Sequence, residues 1–191
     1  LGRAPEEKRS AVGRRMALTL QGRPVWTPRS MPALMREGFS RNPVGYRAVR
    51  MIAEAAASVP LLLYEGEREF TSHPLLRLLQ RPNPAQGGQA LLETLFGHLQ
   101  VAGNAYLEAV KVGGAVRELH ALRPDRMRVV PGADGWPEAY DYSANGATHR
   151  FHQSAEPPPP ILHLKLFNPA DDHYGLSPLE AAARSIDVHN A

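Results

Sequence analysis

The 191-residue sequence contains no cysteine. Disulfide bonds, thiolate nucleophiles and zinc sites built on cysteine are therefore excluded, and the composition is compatible with a reducing intracellular compartment. No apolar run reaches the roughly 18 residues that a membrane-spanning helix needs. The positively charged start of the chain is not followed by an apolar segment, so the sequence predicts no secretory signal.

The phosphate-binding motifs of nucleotide enzymes are missing as well. Neither the G-x-x-x-x-G-K-[S/T] loop nor the G-x-G-x-x-G fingerprint occurs. Gly87 and Gly88 stand before a predicted helix and could present backbone N–H groups to a phosphate. Arg81 is the only basic residue near them in the sequence, so this signal for phosphate binding is weak.

Acidic residues are scarce only at the start of the chain. The first 30 residues carry seven basic and two acidic side chains, and the remaining 161 carry 15 basic and 17 acidic ones. The excess positive charge therefore belongs to an N-terminal arm rather than to the body of the protein. Such an arm is usually solvated, and binding to nucleic acid or a partner protein is the minority interpretation. The candidate contact residues are Arg3, Lys8, Arg9, Arg14 and Arg15.

The sequence divides into three regions. Residues 1–41 have no long apolar periodicity and predict a basic, mostly irregular, flexible arm with at most a short helix. Residues 42–176 predict an α+β domain in which helices pack on small antiparallel hairpins. Residues 177–191 predict the start of a helix that nothing in the sequence stops, so we expect the natural protein to continue beyond residue 191.

Two long helices are predicted within the α+β region. Asn42 and Pro43 open the first, as N-cap and first-turn residue. The second covers about residues 89–102 and ends at Gly103, with Asn104 just past it. Residues 73–79 predict a short helix between them.

Short strands account for much of the remaining pattern. Residues 59–64 and 161–167 are apolar runs typical of strands. Gly113-Gly114 and Asn145-Gly146 each separate two strand-like segments, which predicts two hairpins with tight two-residue turns.

The segment after the last strand predicts a fixed corner. Gly175 leads to Ser177, Pro178 and Glu180, which form a capping-box pattern. The Ser177 hydroxyl is expected to accept from the Glu180 N–H, the Glu180 carboxylate can reach back, and Pro178 suits the first helical position.

The same loop offers the best candidate for chemistry. Asp171, Asp172 and His173 are ligand types, but three adjacent side chains rarely converge on one metal, and carboxylates in loops commonly bond nearby N–H groups. Residues 175–179 begin like the serine-hydrolase elbow, yet the second glycine is absent and Pro178 removes an N–H that would stabilise the oxyanion. The residues therefore favour Ser177 as a helix cap and predict no cofactor, metal or catalytic residue.

Three segments carry a resemblance to a known family. The first is residues 73–84, ending in Arg-Pro-Asn-Pro, and the second is the hairpin that opens at Gly103-Asn104-Ala105-Tyr106. The third runs from residues 161–164 to the Tyr-Gly-Leu-Ser-Pro-Leu motif of residues 174–179. In this order, with the helix and strand of residues 42–60, they resemble the portal protein family of tailed bacteriophages. The branch is the siphovirus type, which also occurs in prophages and gene transfer agents, and the resemblance covers about residues 42–190.

The resemblance implies a structural role. Portal proteins form rings, commonly of twelve subunits, at one capsid vertex, and double-stranded DNA passes through the ring during packaging and ejection. It further implies contacts with the major capsid protein, the terminase and head–tail connector proteins, a place in the virion after assembly in the host cytoplasm, and no membrane. The chain would supply most of the α/β wing and the start of a helix towards the stem and clip. Within it, Asn104, Gly175, Ser177, Pro178 and Glu180 would be structural. Because the subunits of a ring bury different patches on each side, the resemblance also implies that parts of the helices over residues 42–58 and 89–102 carry more exposed apolar surface than a monomer needs.

Two other classes of function stay open. A metal-dependent or serine hydrolase would use Asp171, Asp172, His173 and Ser177, and it predicts a pocket that collects all four. A DNA-binding module would use the basic arm, with affinity that falls as salt rises.

Overall fold

A computed structural model describes residues 30–153 and 157–190. Its first elements are helix α1 (Met31–Leu34) and a π-helical turn (Met35–Ser40) that follows directly. Met31, Met35 and Phe39 recur at helical spacing and pack against a buried cluster. The sequence predicts an arm over residues 1–41 with at most a short helix. Residues 31–40 are helical and pack on the folded body, because their apolar side chains are removed from water there. Residues 1–29 lie outside the described part.

Two long helices lie side by side. Helix α2 (Pro43–Ala57) begins where predicted, and the Asn42 Oδ1 atom accepts from the Gly45 N–H at 2.8 Å. After the short α3 (Pro74–Gln80) comes α4 (Gly88–Ala102), which ends at Gly103. The predicted end of this helix at Gly103 is confirmed, and Gly103 has the left-handed conformation common at helix ends, with φ +70°.

Eight strands in the described residues form three antiparallel sheets, with orders β1-β2, β4-β3-β8 and β5-β6-β7. Their bounds are β1 Leu63–Glu65, β2 Arg68–Phe70, β3 Asn104–Val112, β4 Ala115–Leu122, β5 Met127–Pro131, β6 Pro137–Ala144, β7 Ala147–His152 and β8 Ile161–Lys165.

Both predicted hairpins are confirmed. β3 pairs with β4 around Gly113 and Gly114, and β6 pairs with β7 around Asn145 and Gly146. All four turn residues have positive φ, as the tight turn requires.

The predicted strand of residues 59–64 is wrong over most of its length. β1 begins only at Leu63. Pro60 has no N–H to donate to a ladder, and the Leu61 and Leu62 side chains are exposed rather than packed.

The sheet β4-β3-β8 separates two apolar clusters. On one face Ala105 and Leu119 pack against Leu91 and Leu95 of α4. On the other face Tyr106 and Ile161 pack against β5 and β6 of the third sheet, through Met127, Val129 and Tyr140. This alternation follows the two-residue period of a strand, and it leaves the start of β3 covered on both sides.

The predicted terminal helix is interrupted. Helix α5 (Pro178–Ala181) is followed by α6 (Ala183–Asn190), and Ala182 between them has φ −88° and ψ 0°. Leu179 and Ile186 both pack against the cluster formed with Val49 and Val101. The local sequence is rich in alanine and favours a continuous helix, so tertiary packing and not propensity sets this break.

Candidate functional site

The corner after β8 is organised around one buried amide. The Asn104 Oδ1 atom accepts from the Gly175 N–H at 2.8 Å. The Nδ2 group of the same side chain donates to the Ala102 carbonyl at 2.8 Å and to the Gly175 carbonyl at 3.3 Å. One side chain thereby ties the end of α4, the start of β3 and the corner loop together.

These bonds determine the protonation of a neighbouring histidine. The Gly175 N–H can only donate, so the Asn104 oxygen must be the atom that faces it. The His163 Nε2 atom lies 3.0 Å from that same oxygen and must therefore carry a proton. In the neutral ring the Nδ1 atom is then the acceptor, and the Tyr140 hydroxyl lies 3.5 Å from it.

Aromatic packing holds His163 in this position. Its ring stacks on Tyr106 with centroids 4.3 Å apart, and the Tyr140 ring meets it edge-on at 5.7 Å. Burial, with smaller contributions from the charges of Lys165 and His173, lowers the pKa of His163 to about 4. The ring is therefore neutral at physiological pH and acts as a structural hydrogen-bonding group.

Two glycines allow the corner to approach the end of α4. The Leu166 N–H donates to the Gly103 carbonyl at 2.8 Å. A β-carbon on Gly175 would stand 2.7 Å from the Leu166 nitrogen and would overlap the Gly103 carbonyl oxygen. Backbone contact this close requires glycine at position 175 on steric grounds alone.

Ser177 serves as the cap of α5. The Glu180 N–H donates to the Ser177 Oγ atom at 2.9 Å, and Ser177 is 1% exposed. Pro178 occupies the first helical position. Just before this turn, the Tyr174 hydroxyl accepts from the Val129 N–H at 2.9 Å, which joins the corner to the third sheet.

The loop that contains Asp171, Asp172 and His173 is held by hydrogen bonds within itself. The Asp171 Oδ1 atom accepts from the N–H groups of His173 at 2.7 Å and Tyr174 at 2.9 Å. These backbone donors lower the pKa of Asp171. The Lys165 ammonium donates to the Asp172 carbonyl. The loop is thus fixed by Asx-type bonds between the Asp171 carboxylate and nearby backbone N–H groups.

The four candidate hydrolase residues are not collected in one pocket. Asp172 and His173 line an open cleft of about 670 Å³ together with His163 and Lys165, and Ser177 is not among its lining residues. Across residues 30–153 and 157–190, no group of three His, Asp or Glu side chains is placed to hold a metal ion. Within the same described residues, no helix is long and apolar enough to cross a membrane.

A second feature is an exposed apolar surface on α2. Val44, Met51 and Ile52 are exposed, as are Leu61 and Leu62 beyond the helix. Helix α4 carries no large exposed apolar side chain among its described residues. Exposed apolar surface was expected on both long helices, and only α2 has it. Helix α4 is covered by α2 on one side and by the sheet on the other.

The helices and the three small antiparallel sheets define an α+β domain. The family model described as phage portal protein matches residues 43–191, and the chain belongs to that family. It is 54% identical to a chain in the neck of an empty gene transfer agent (GTA) particle computed with C6 symmetry, with a TM-score of 0.78, over 95% of this chain and 49% of that one. It is 52% identical to a chain in the neck of a native GTA particle computed with C12 symmetry, with a TM-score of 0.75, over 95% and 48%.

Two relatives from Rickettsia also match this chain over only part of their own length. Uncharacterized proteins of Rickettsia bellii and Rickettsia felis are each 31% identical to this chain, over 80% of it and 40% of their own length. The chain thus spans less than half the length of these relatives.

Sequence reasoning placed Asn104, Gly175, Ser177, Pro178 and Glu180 in the motif, and the structure brings them together in one corner. The prediction named neither His163 nor Tyr174 as a structural residue, although both lie in the segments that carry the resemblance. The Glu180 carboxylate does not make the return bond to the Ser177 N–H among the hydrogen bonds of the described residues. The basic residues Arg3, Lys8, Arg9, Arg14 and Arg15 lie outside the described part of the chain.

Proposed function

We propose that this chain forms the wing region of a portal subunit, which assembles with further copies into a ring at one vertex of an icosahedral capsid. Double-stranded DNA passes through the centre of this ring during packaging and ejection. The observation that carries the proposal is the 54% identity, over 95% of the chain, to a protein in the neck of a GTA particle.

A ring is supported by the symmetry of the matched particles. Their necks were computed with C6 and with C12 symmetry, which fits a ring of twelve subunits. A closed ring of this size needs head-to-tail contacts, in which each subunit uses two different surfaces. The portal contacts the major capsid protein at the vertex, and terminase and then head–tail connector proteins bind the ring in turn.

The role needs no reactive centre in this region. Ser177 is buried and engaged as a cap, and Asp171 is bonded to its own loop. The corner therefore supports a structural, non-enzymatic function, and the particle is its site of action.

Electron microscopy of the whole protein tests this proposal. We expect rings with a central channel wide enough for a DNA duplex, and we expect the protein in purified particles. Monodisperse monomers under conditions in which particles assemble would contradict the proposal. A particle preparation from a host that lacks the gene, with necks still present, would contradict it as well.

A further inference from the structure

Helix α2 carries apolar side chains on two faces, and only one of these faces is buried in the core of the domain. Val49, Ala53 and Ala57 lie on one side of the helix and are at most 5% exposed. The polar side is held by Arg50, whose guanidinium pairs with Glu54 at 2.6 Å and also with Glu93 of α4. The remaining third of the circumference faces solvent.

That third is apolar along the helix. Val44, Ala48, Met51 and Ala55 are exposed and are spaced four, three and four residues apart. This is the spacing of one seam of a coiled coil, and the two alanines allow another helix to approach closely. Ile52 lies beside them at 46% exposure. We call these five residues the apolar stripe.

The stripe continues into a groove between α2 and the two terminal helices. The groove has a volume of about 380 Å³. Val44 and Ile52 form one wall, and Leu179, Ala182 and Ile186 form much of the other. Val44, Ala48 and Ile52 belong to both features, so the stripe and the groove form one continuous apolar surface. Contiguous exposed apolar surfaces mark interaction sites in other proteins.

We propose that the apolar stripe and its groove receive a helix of the neighbouring copy in the ring. This inference rests on the proposed function, because a ring places copies of the chain side by side. The coiled-coil spacing favours a helix as the occupant, and in a head-to-tail ring that helix comes from a different surface of the next subunit. Exposed Arg47 lies next to the stripe and supplies the polar rim that such interfaces have.

The chain has no cysteine, which makes single-cysteine labelling a direct test. Met51→Cys is introduced into the whole protein, and its rate of reaction with a maleimide dye is measured in separated subunits and in assembled rings. Glu67→Cys, in the exposed turn between β1 and β2, is the matched control for general thiol reactivity. We expect Met51→Cys to react readily in the subunit and many-fold more slowly in the ring.

Other outcomes identify other occupants. Slow labelling in both states would mean that the stripe is covered by the rest of the same polypeptide, and fast labelling in both would mean that nothing covers it; either result overturns the inference while leaving the rings intact. If the unaltered protein forms no ring, the proposed function fails and the inference fails with it.

A second variant tests the energetic contribution. Ala55→Glu places a charge in the stripe without touching the core, so we expect the subunit to keep its melting temperature and to lose the ring in sedimentation. The control Ala147→Glu places the same charge on an exposed position of β7 in the third sheet and is expected to leave rings in place. Rings of normal stability in Ala55→Glu would overturn the inference.

Discussion

The backbones of Gly103 and Gly175 are in direct contact. The two residues are distant in the sequence, since Asn104, which follows Gly103, lies 71 residues before Gly175. The contact joins the end of α4 to the corner that follows β8. The Leu166 N–H donates to the Gly103 carbonyl across it at 2.8 Å. There is no space at this point for a side chain.

Gly175→Ala is expected to destabilise the protein by at least about 2 kcal/mol, because the added methyl group overlaps backbone that is fixed by hydrogen bonds. Chemical denaturation measures the change. Gly97→Ala is the matched control, since a β-carbon there meets nothing within 4 Å and Gly97 lies inside α4. We expect that control to gain about 0.5–1 kcal/mol from the lower entropy of the unfolded chain. Equal effects at the two positions would contradict the close contact.

Ser177→Ala is expected to lower the free energy of unfolding by about 1–2 kcal/mol, because it leaves the partly buried Glu180 N–H without its acceptor. Urea denaturation measures this loss. Ser58→Ala is the comparison, since the Ser58 hydroxyl is exposed and donates to the Ala55 carbonyl. A loss no larger than that of Ser58→Ala would mean that the cap contributes little.

Acidification is expected to weaken the fold through His163. Its pKa is about 4 in the folded protein and is ordinarily 6.5. Between these values the unfolded chain binds a proton that the folded protein does not, so stability is full above pH 6.5 and falls as the pH drops towards 4. The ring is half-buried, so we expect a loss of about 1–2 kcal/mol from this group across the window. His98, whose pKa burial also lowers to about 4, adds a loss of the same sign.

The variant His163→Gln isolates this effect, because glutamine retains a donor for the Asn104 oxygen and does not titrate. Denaturation at several pH values should show a flatter dependence between pH 6.5 and 4 than in the unaltered protein. The exposed His149→Gln is the control and should keep the original dependence. Identical curves for all three proteins would refute the role of His163.

Local chemistry accounts for what the sequence predicted well. Asn42 and Ser177 cap helices through atoms three residues away, and the turn residues Gly113 and Asn145 fix hairpins of immediate neighbours. The hydrogen bonds of Asn104 with Gly175 and His163 join residues that are far apart in the sequence, so no local pattern predicts them. The break at Ala182 is similar, since its cause lies in packing.

The packing of residues 31–40 on the folded body could have been predicted from the sequence. Met31, Met35 and Phe39 have helical spacing, and this pattern could have moved the start of the folded body to residue 31. The run is short and is surrounded by proline, glycine and arginine, so composition outweighed it.

The basic arm supplies a separate prediction. If Arg3, Lys8, Arg9, Arg14 and Arg15 all contact DNA phosphates, removing the arm should reduce the slope of log affinity against log salt by about 4–5. DNA retention measured over a range of salt concentrations gives this slope. Changing only these five residues to glutamine controls for loss of chain length. An unchanged slope in both proteins would show that these residues do not contact DNA phosphates.

The bond between Tyr174 and Val129 has a mechanical consequence. The corner is attached to the Asn104 side chain, to the Gly103 backbone and, through the Tyr174 hydroxyl, to the third sheet. A force applied along α5 is therefore shared among three elements and resisted by several bonds at once. Such an attachment yields only when these bonds break together, whereas a strand at a free edge would peel away one bond at a time.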